Sequence, residues 1–438
     1  MGNRISLKQS AHELGRQLSQ KFCFVKHFLQ GLFVDRLTNS FNNRFAKGLR
    51  RLRWISLLSL GMAIALLLKF PMAAAAQAVQ SARITNPPPT EIRGVWLTNV
   101  DSDVLFSRDN LRRAMQRLER LNFNTVYPTV WQSGYTLYPS KVAEAATGIK
   151  VDPEPGLKGR DMLAEAVEFG HNRGLAVIPW FEFGLMAPAE SELVKRHPQW
   201  VLSRRDGSQT FNMHGEDRSV WLNPAHPEVQ KLLVDLVTEV VEKYDIEGIQ
   251  FDDHFGTPTE LGYDSYTQQL YRQETGKTPP TNPRDADWMR WRATKVSDLM
   301  VKIYSAVKTR KPDCLVSLSP NPRDFAYQNY LQDWYSWQRL GFLDELIVQV
   351  YRSDLNRFLS ELDRPELRRV RDRIPVGIGI LTGLRVRPVE TRSIIEQVRV
   401  TRDRRFAGVS FFFYETLGDR DGSLQNLFPN PAMRPERA

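Results

Sequence analysis

From Glu91 onward, short apolar runs alternate with amphipathic stretches, and nothing else in the chain narrows the choice of fold as much. The runs at 92–99, 124–131, 175–183, 246–254, 315–321, 343–351, 376–382 and 408–415 have strand character. Helical periodicity lies between them, most clearly at 108–121, 161–173, 227–244, 287–309 and 389–404, and Asn122 and Gly174 provide turns into the next strand. Strand and helix in strict alternation, eight times over, predict an α/β fold: a single (β/α)8 TIM-type barrel with long βα loops. An open doubly wound sheet is the rival, but no glycine-rich fingerprint follows the first strand.

Parity within the strands carries the argument toward function. At 246–254, Ile249 and Phe251 alternate with Gln250, Asp252 and His254; at 315–321, Val316 and Leu318 alternate with Ser317, Ser319 and Asn321. Leu346, Val348 and Val350 likewise alternate with Gln349 and Tyr351. A barrel strand buries one face against helices and points the other inward, so the polar set should face the barrel interior. The same parity puts Trp96, Thr98, Tyr127, Thr129, Trp131, Trp180 and Glu182 on the inner face. Barrel active sites sit at the C-terminal ends of the strands, where these residues collect. Segments 134–160, 184–223 and 254–283 leave those same ends and are long enough to wall a groove.

Asp252, Asp253 and His254 form the densest ionisable cluster at any strand end, with Glu182 and Glu415 at two others. Cleaving a glycosidic bond needs two carboxyl groups, one protonating the leaving oxygen and one serving as nucleophile or base. Asp252 has inward parity and is favoured as nucleophile or stabilising carboxylate; Asp253 can turn inward where the strand ends. Glu182 and Glu415 compete for the acid role, although Glu415 is out of phase with its strand. Candidate substrate contacts are Trp96, Thr98, Tyr127, Trp131, Trp180, His254, Asn321, Gln349 and Tyr351. Bland alternatives stand beside these: a strand-end aspartate can cap a helix or pair with arginine, and barrel tryptophans commonly fill core. The other histidines after the leader, His171, His197, His214 and His226, lack zinc-ligand spacing, so no metal and no cofactor is assigned, although Asp252 and Asp253 are compatible with magnesium or calcium. Glycines at 379–383 come without a lysine and make no phosphate loop.

The net charge of +10 suggests nucleic acid until it is located. Residues 1–78 hold 12 Lys+Arg against 2 Asp+Glu, which leaves the rest neutral. That leader reads as a basic arm (1–53), then a secretory signal or signal anchor (54–78) in which an apolar run follows Arg50, Arg51 and Arg53 and precedes Ala-rich cleavage-site residues. A linker (79–90), the barrel (91–417) and a disordered tail (418–438) follow. The run is short for a spanning helix; uncleaved, residues 54–70 would tether the chain to a membrane. The expectation is an exported protein, in the periplasm, in the envelope or secreted, that meets a glycan polymer and neither nucleic acid nor an obligate protein partner. Cys23 and Cys314 are the only cysteines, so the body has no internal disulfide.

Several stretches together carry a family resemblance: Glu-Ile-Arg-Gly-Val-Trp-Leu-Thr-Asn at 91–99, Phe-Asn-Thr-Val-Tyr at 123–127 and Trp-Leu-Asn-Pro-Ala-His-Pro-Glu-Val at 221–229. Glu-Gly-Ile-Gln-Phe-Asp-Asp-His-Phe at 247–255 and Val-Ser-Leu-Ser-Pro-Asn-Pro at 316–322 complete it. The chain resembles the glycosyl-hydrolase-like (β/α)8 barrels once known only as a domain of unknown function, which include peptidoglycan glycan-strand hydrolases. The resemblance implies a cell-wall glycan substrate, cut between aminosugars where stem peptides have been removed, and maps the family's double aspartate onto Asp252 and Asp253. The chain departs from the pattern at Phe255-Gly256-Thr257-Pro258, where the family has an aromatic–proline pair, and at Gly159-Arg160-Asp161-Met162, where it commonly has a tryptophan. These departures bear on subsite preference.

Overall fold

The computed structural model describes residues 88–214, 217–384 and 387–436. The expected basic arm and the signal or tether lie outside the described residues, as does most of the linker. Among the described residues no helix is long and apolar enough to cross a membrane.

Nine parallel strands form the central sheet: β1 (Ile92–Leu97), β2 (Thr125–Pro128), β3 (Ala176–Val177), β4 (Trp180–Phe181), β5 (Gly248–Asp252), β6 (Leu315–Ser319), β7 (Glu345–Gln349), β8 (Val376–Leu381) and β9 (Gly408–Phe412). Their spatial order is β3-β2-β1-β9-β8-β7-β6-β5-β4. The two edges belong to one extended segment. Pro179, which has no N–H, divides it so that β3 pairs with β2 and β4 pairs with β5. Ile178 N donates to Val126 O (3.0 Å) and Gln250 N to Pro179 O (2.9 Å), carrying the ladder across the division and closing an eight-stranded barrel. At the β1–β9 seam Gly408 has φ +142°, and a Cβ there would lie 2.1 Å from Ile92 O, so only glycine permits this first rung.

The parity holds. Val95, Val126, Ile249, Phe251, Val316, Leu318, Leu346, Val348 and Val409 face outward into the large apolar layer between strands and helices. A smaller cluster, including Ile92, Trp96, Tyr127, Ile178, Trp180 and Ile347, fills the barrel. The helices Arg108–Arg120, Met162–His171, Pro227–Lys243, Ala286–Arg310 and Thr391–Asp403 begin and end close to their expected bounds. Ser107, Asp161, His226 and Asp285 cap the first four by accepting backbone N–H bonds. The long loop at 184–223 folds into a three-stranded antiparallel sheet of Met186–Pro188, Phe211–His214 and Asp217–Trp221.

The tail is a correction. Far from being disordered, it forms a helix (Asp421–Leu427) and then straps the N-terminal end of the barrel. Arg93 donates to Asn430 O (2.5 Å), Asn124 to Ala432 O (3.0 Å), and Glu91 N to Met433 O (2.9 Å). Arg434 then enters the barrel floor, bonding Thr125 Oγ1 (2.8 Å) and pairing with Glu345, whose side chain is 2% exposed. Polarity misleads here: the Pro/Arg-rich composition reads as solvent-loving, but its cation has a buried anion to meet. Arg434→Ala would leave Glu345 uncompensated and is expected to cost about 3 kcal/mol. The measurement is a lowered urea midpoint at unchanged m-value; an unaltered midpoint would contradict it.

Candidate active site

The backbone amide of His254 donates to Asp252 Oδ1 (2.9 Å), ending β5 in a tight turn. Gln332 fixes this turn by donating to Asp252 O (2.7 Å) and Phe255 O (3.1 Å). The two aspartates thereby receive different surroundings. Asp252 is buried, with His254 Nδ1 3.3 Å from its Oδ1, and the same ring nitrogen lies 3.1 Å from Glu182 O. Asp253 is partly exposed and reaches across two neighbouring strands: Asn321 Nδ2 donates to its Oδ2 (2.9 Å) and Gln349 Nε2 to its Oδ1 (3.3 Å). Gln349 is itself anchored on Ser319 O (2.9 Å), and Trp334 Nε1 donates to Asn321 O (3.1 Å). Asp253, out of phase within the strand, thus becomes the aspartate that opens to the mouth, while the in-phase Asp252 lies beneath it.

Glu182 follows β4 and accepts from Thr129 Oγ1 (3.3 Å). Burial, reinforced by the nearby negative charge of Asp252, pushes its carboxyl up to about 8. Burial also raises Asp252, to about 6, against the opposing pull of His254. For His254, burial disfavours the cation, but the charges of Asp252 and Asp253 outweigh it and push the imidazole up to about 10. At neutral pH the mouth therefore holds a proton on Glu182 beside an Asp252–His254 ion pair. Burial and the charges of Asp253, Asp252 and Glu182 hold the Tyr351 hydroxyl well above its ordinary range, which marks it as a neighbour of all three carboxyls.

Aromatic rings frame this group. Phe412 lies 6.1 Å from Trp96, 6.3 Å from Trp180 and 5.6 Å from Tyr351, centroid to centroid. The other expected aromatic contacts lie deeper. Trp96 is 1% exposed and spends its N–H on Gln250 Oε1 (2.8 Å), and Tyr127 stacks on it and points its hydroxyl down toward Glu345. Trp131 is a clear correction: the chain leaves the barrel after Thr129 to form a two-residue hairpin, placing this ring in the outer apolar layer. Thr98 is also buried, its hydroxyl accepting from Val100 N (3.1 Å).

Glu415 is the other correction. It sits on a 3-10 turn (Tyr414–Leu417), accepts from Ser102 Oγ and lines a separate groove, and the charge that acts on it is that of Asp103. The change from strand to 3-10 turn rotates it away from the group around Asp252. Sequence reasoning missed Gln332 and Tyr330. Tyr330 ends the helix Arg323–Tyr330, and its hydroxyl is raised by burial and by the charge of Asp253. Strand parity marks neither, because both lie in the excursion between β6 and β7, Tyr330 at the end of its short helix and Gln332 just past it.

Among the described residues, Asp252, Asp253 and His254 are close enough to meet at one cation, their ligand atoms lying within 4.8 Å of one another. Two N–H donors already point at Asp253, and Asp252 is paired with the imidazole, so the surroundings suit hydrogen bonding to carboxylates better than holding a metal.

Comparison with known proteins agrees with this architecture. The family model described as glycosyl hydrolase-like 10 matches residues 91–400. Glycosyl hydrolase DigH of Escherichia coli strain K12 is 28% identical over 303 residues, covering 59% of this chain and 65% of DigH. Glycosyl hydrolase YngK of Bacillus subtilis strain 168 is 24% identical over 300 residues, covering 60% of this chain and 54% of YngK. The matched region thus spans less than two thirds of either relative. In fold, the chain is similar to the PgaB (BpsB) glycoside hydrolase domain from Bordetella bronchiseptica, with TM-score 0.55 and 12% identity over 78% of this chain and 99% of that domain. It is also similar to α-L-fucosidase isoenzyme 2 from Paenibacillus thiaminolyticus, with TM-score 0.55 and 15% identity over 77% of this chain and 49% of that one. A barrel whose carboxyl groups gather at the C-terminal mouth, matched by one family model over most of its length, belongs to the glycosyl hydrolase-like 10 family.

Proposed function

We propose that the protein is an exported hydrolase that cuts glycosidic bonds within cell-wall glycan strands of peptidoglycan, with Glu182 as proton donor and Asp253 as the carboxylate facing the sugar's anomeric carbon. One observation carries the reading: two carboxyl groups at one barrel mouth differ in environment, Glu182 buried with its carboxyl pushed up to about 8, Asp253 half-open with an amide N–H on each oxygen. Environments that push neighbouring carboxyls apart are how acid and base roles are assigned in glycoside hydrolysis. The Asp252–His254 pair then acts on both from below, its anion keeping the proton on Glu182. Tyr351 and Phe412 offer ring faces for stacking on a sugar. Export rests on the apolar run and small residues at 54–78.

The test is incubation of the purified protein with peptide-free glycan strands and, separately, with unrelated exported polysaccharides, with products read by mass spectrometry. Fragments from the glycan strands alone are expected. Fragments only from another polysaccharide would move the substrate class, and binding without cleavage of anything would favour a glycan-binding barrel.

A further inference from the structure

Glu415, excluded from the catalytic group, lines a groove of about 420 Å³ built from the β1-following loop, the first turn of the helix Arg108–Arg120 and the 3-10 turn after β9. Its other walls include Ser102, Asp103, Asn110, Arg113 and Tyr414. Glu415 Oε1 takes the Ser102 hydroxyl, and the backbone N–H groups of Val104 and Glu415 add to the hydrogen bonding of the carboxylate. Arg113 and Asn110 are aligned by a bond from Nη2 to Oδ1 (2.6 Å). Arg117 lies 5.4 Å from the centroid of the half-buried Tyr414 ring, holding it in place. A carboxylate, a guanidinium, an amide and an aromatic ring form a set that reads vicinal hydroxyls and an acylamino group. Position supports this. Glu415 is three residues from Phe412 at the mouth, so the chain holds the two within about 11 Å.

We infer that this groove is a remote subsite for the same glycan, binding a sugar residue beyond those at the cleaved bond through Glu415, Asn110 and Arg113. The inference rests on the glycan-strand reading above and deepens it. A remote site contributes only when the chain is long enough to reach it, so its signature is a dependence on length. The probe is peptide-free glycan strands fractionated by size, assayed with wild-type protein and with Arg113→Ala plus Asn110→Ala, the first position exposed and the second half-buried, with unchanged thermal unfolding as the check on folding. The ratio of kcat/KM on long strands to that on the shortest cleaved strands is expected to fall about tenfold, through KM and not kcat. Glu415→Gln should move the same ratio in the same direction. Equal losses at every length, or none, would overturn the subsite. Direct titration with long strands separates this from the catalytic reading: if wild-type protein cleaves nothing yet binds, binding about tenfold weaker in the double variant still supports the groove. Unchanged or absent binding rejects it.

Discussion

Asp253→Asn is expected to lower kcat on glycan strands by about 10³-fold or more with little change in KM. The substitution is nearly isosteric, but it removes the negative charge and presents an NH₂ where Asn321 and Gln349 already point N–H groups, so one of the two amides loses its acceptor. The fold should survive, since Asp253 is partly exposed and its partners stay anchored on Ser319 and Trp334. Unchanged thermal unfolding alongside lost turnover is therefore the combined result to look for. Asp252→Asn makes the control. It removes the anion that pairs with His254 and helps keep the proton on Glu182, so the alkaline limb of activity should move to lower pH while turnover persists. If Asp252→Asn is dead and Asp253→Asn active, the two roles are reversed.

Glu182→Gln is expected to cost about 10²–10⁴-fold on unactivated glycan. Much less should be lost on an aryl glycoside, whose leaving group departs without a proton. The sign of the pH effect follows from the raised carboxyl. The acid works while protonated, so wild-type activity should fall as pH rises through about 8, and the residual activity of the glutamine variant should lack that limb. Stability runs the same way. A carboxyl raised in the folded state favours folding below its unfolded value, near 4.5, and that contribution is lost as pH climbs through about 8. Glutamine cannot ionise, so at pH 9 the variant should melt about 2–4 °C above wild type and at pH 4 about equally. A variant with full activity on unactivated glycan would remove Glu182 from the chemistry.

The strand–helix alternation and the parity of Gln250, Asp252, Ser317, Ser319 and Gln349 were legible in one dimension, because a two-residue period and helix caps are local properties. The same parity succeeded for Trp96 and Trp180 and failed for Trp131, because it assumes the strand continues; the chain turns out of the barrel after Thr129. Parity also ranked Asp252 above Asp253, since it cannot register the turn that His254 N makes onto Asp252.

By itself, then, the sequence determined the barrel, its inward polar face and the strand-end positions of Asp252, Asp253 and Glu182, since each is dictated by neighbours a few positions away. Tertiary structure alone decided which carboxyls share a mouth and which is open to it. It also sent Glu415 to a separate groove and Arg434 into the floor beside Glu345. Burial, charge pairing and hydrogen-bond partners join residues tens to hundreds of positions apart, and no local pattern encodes that proximity.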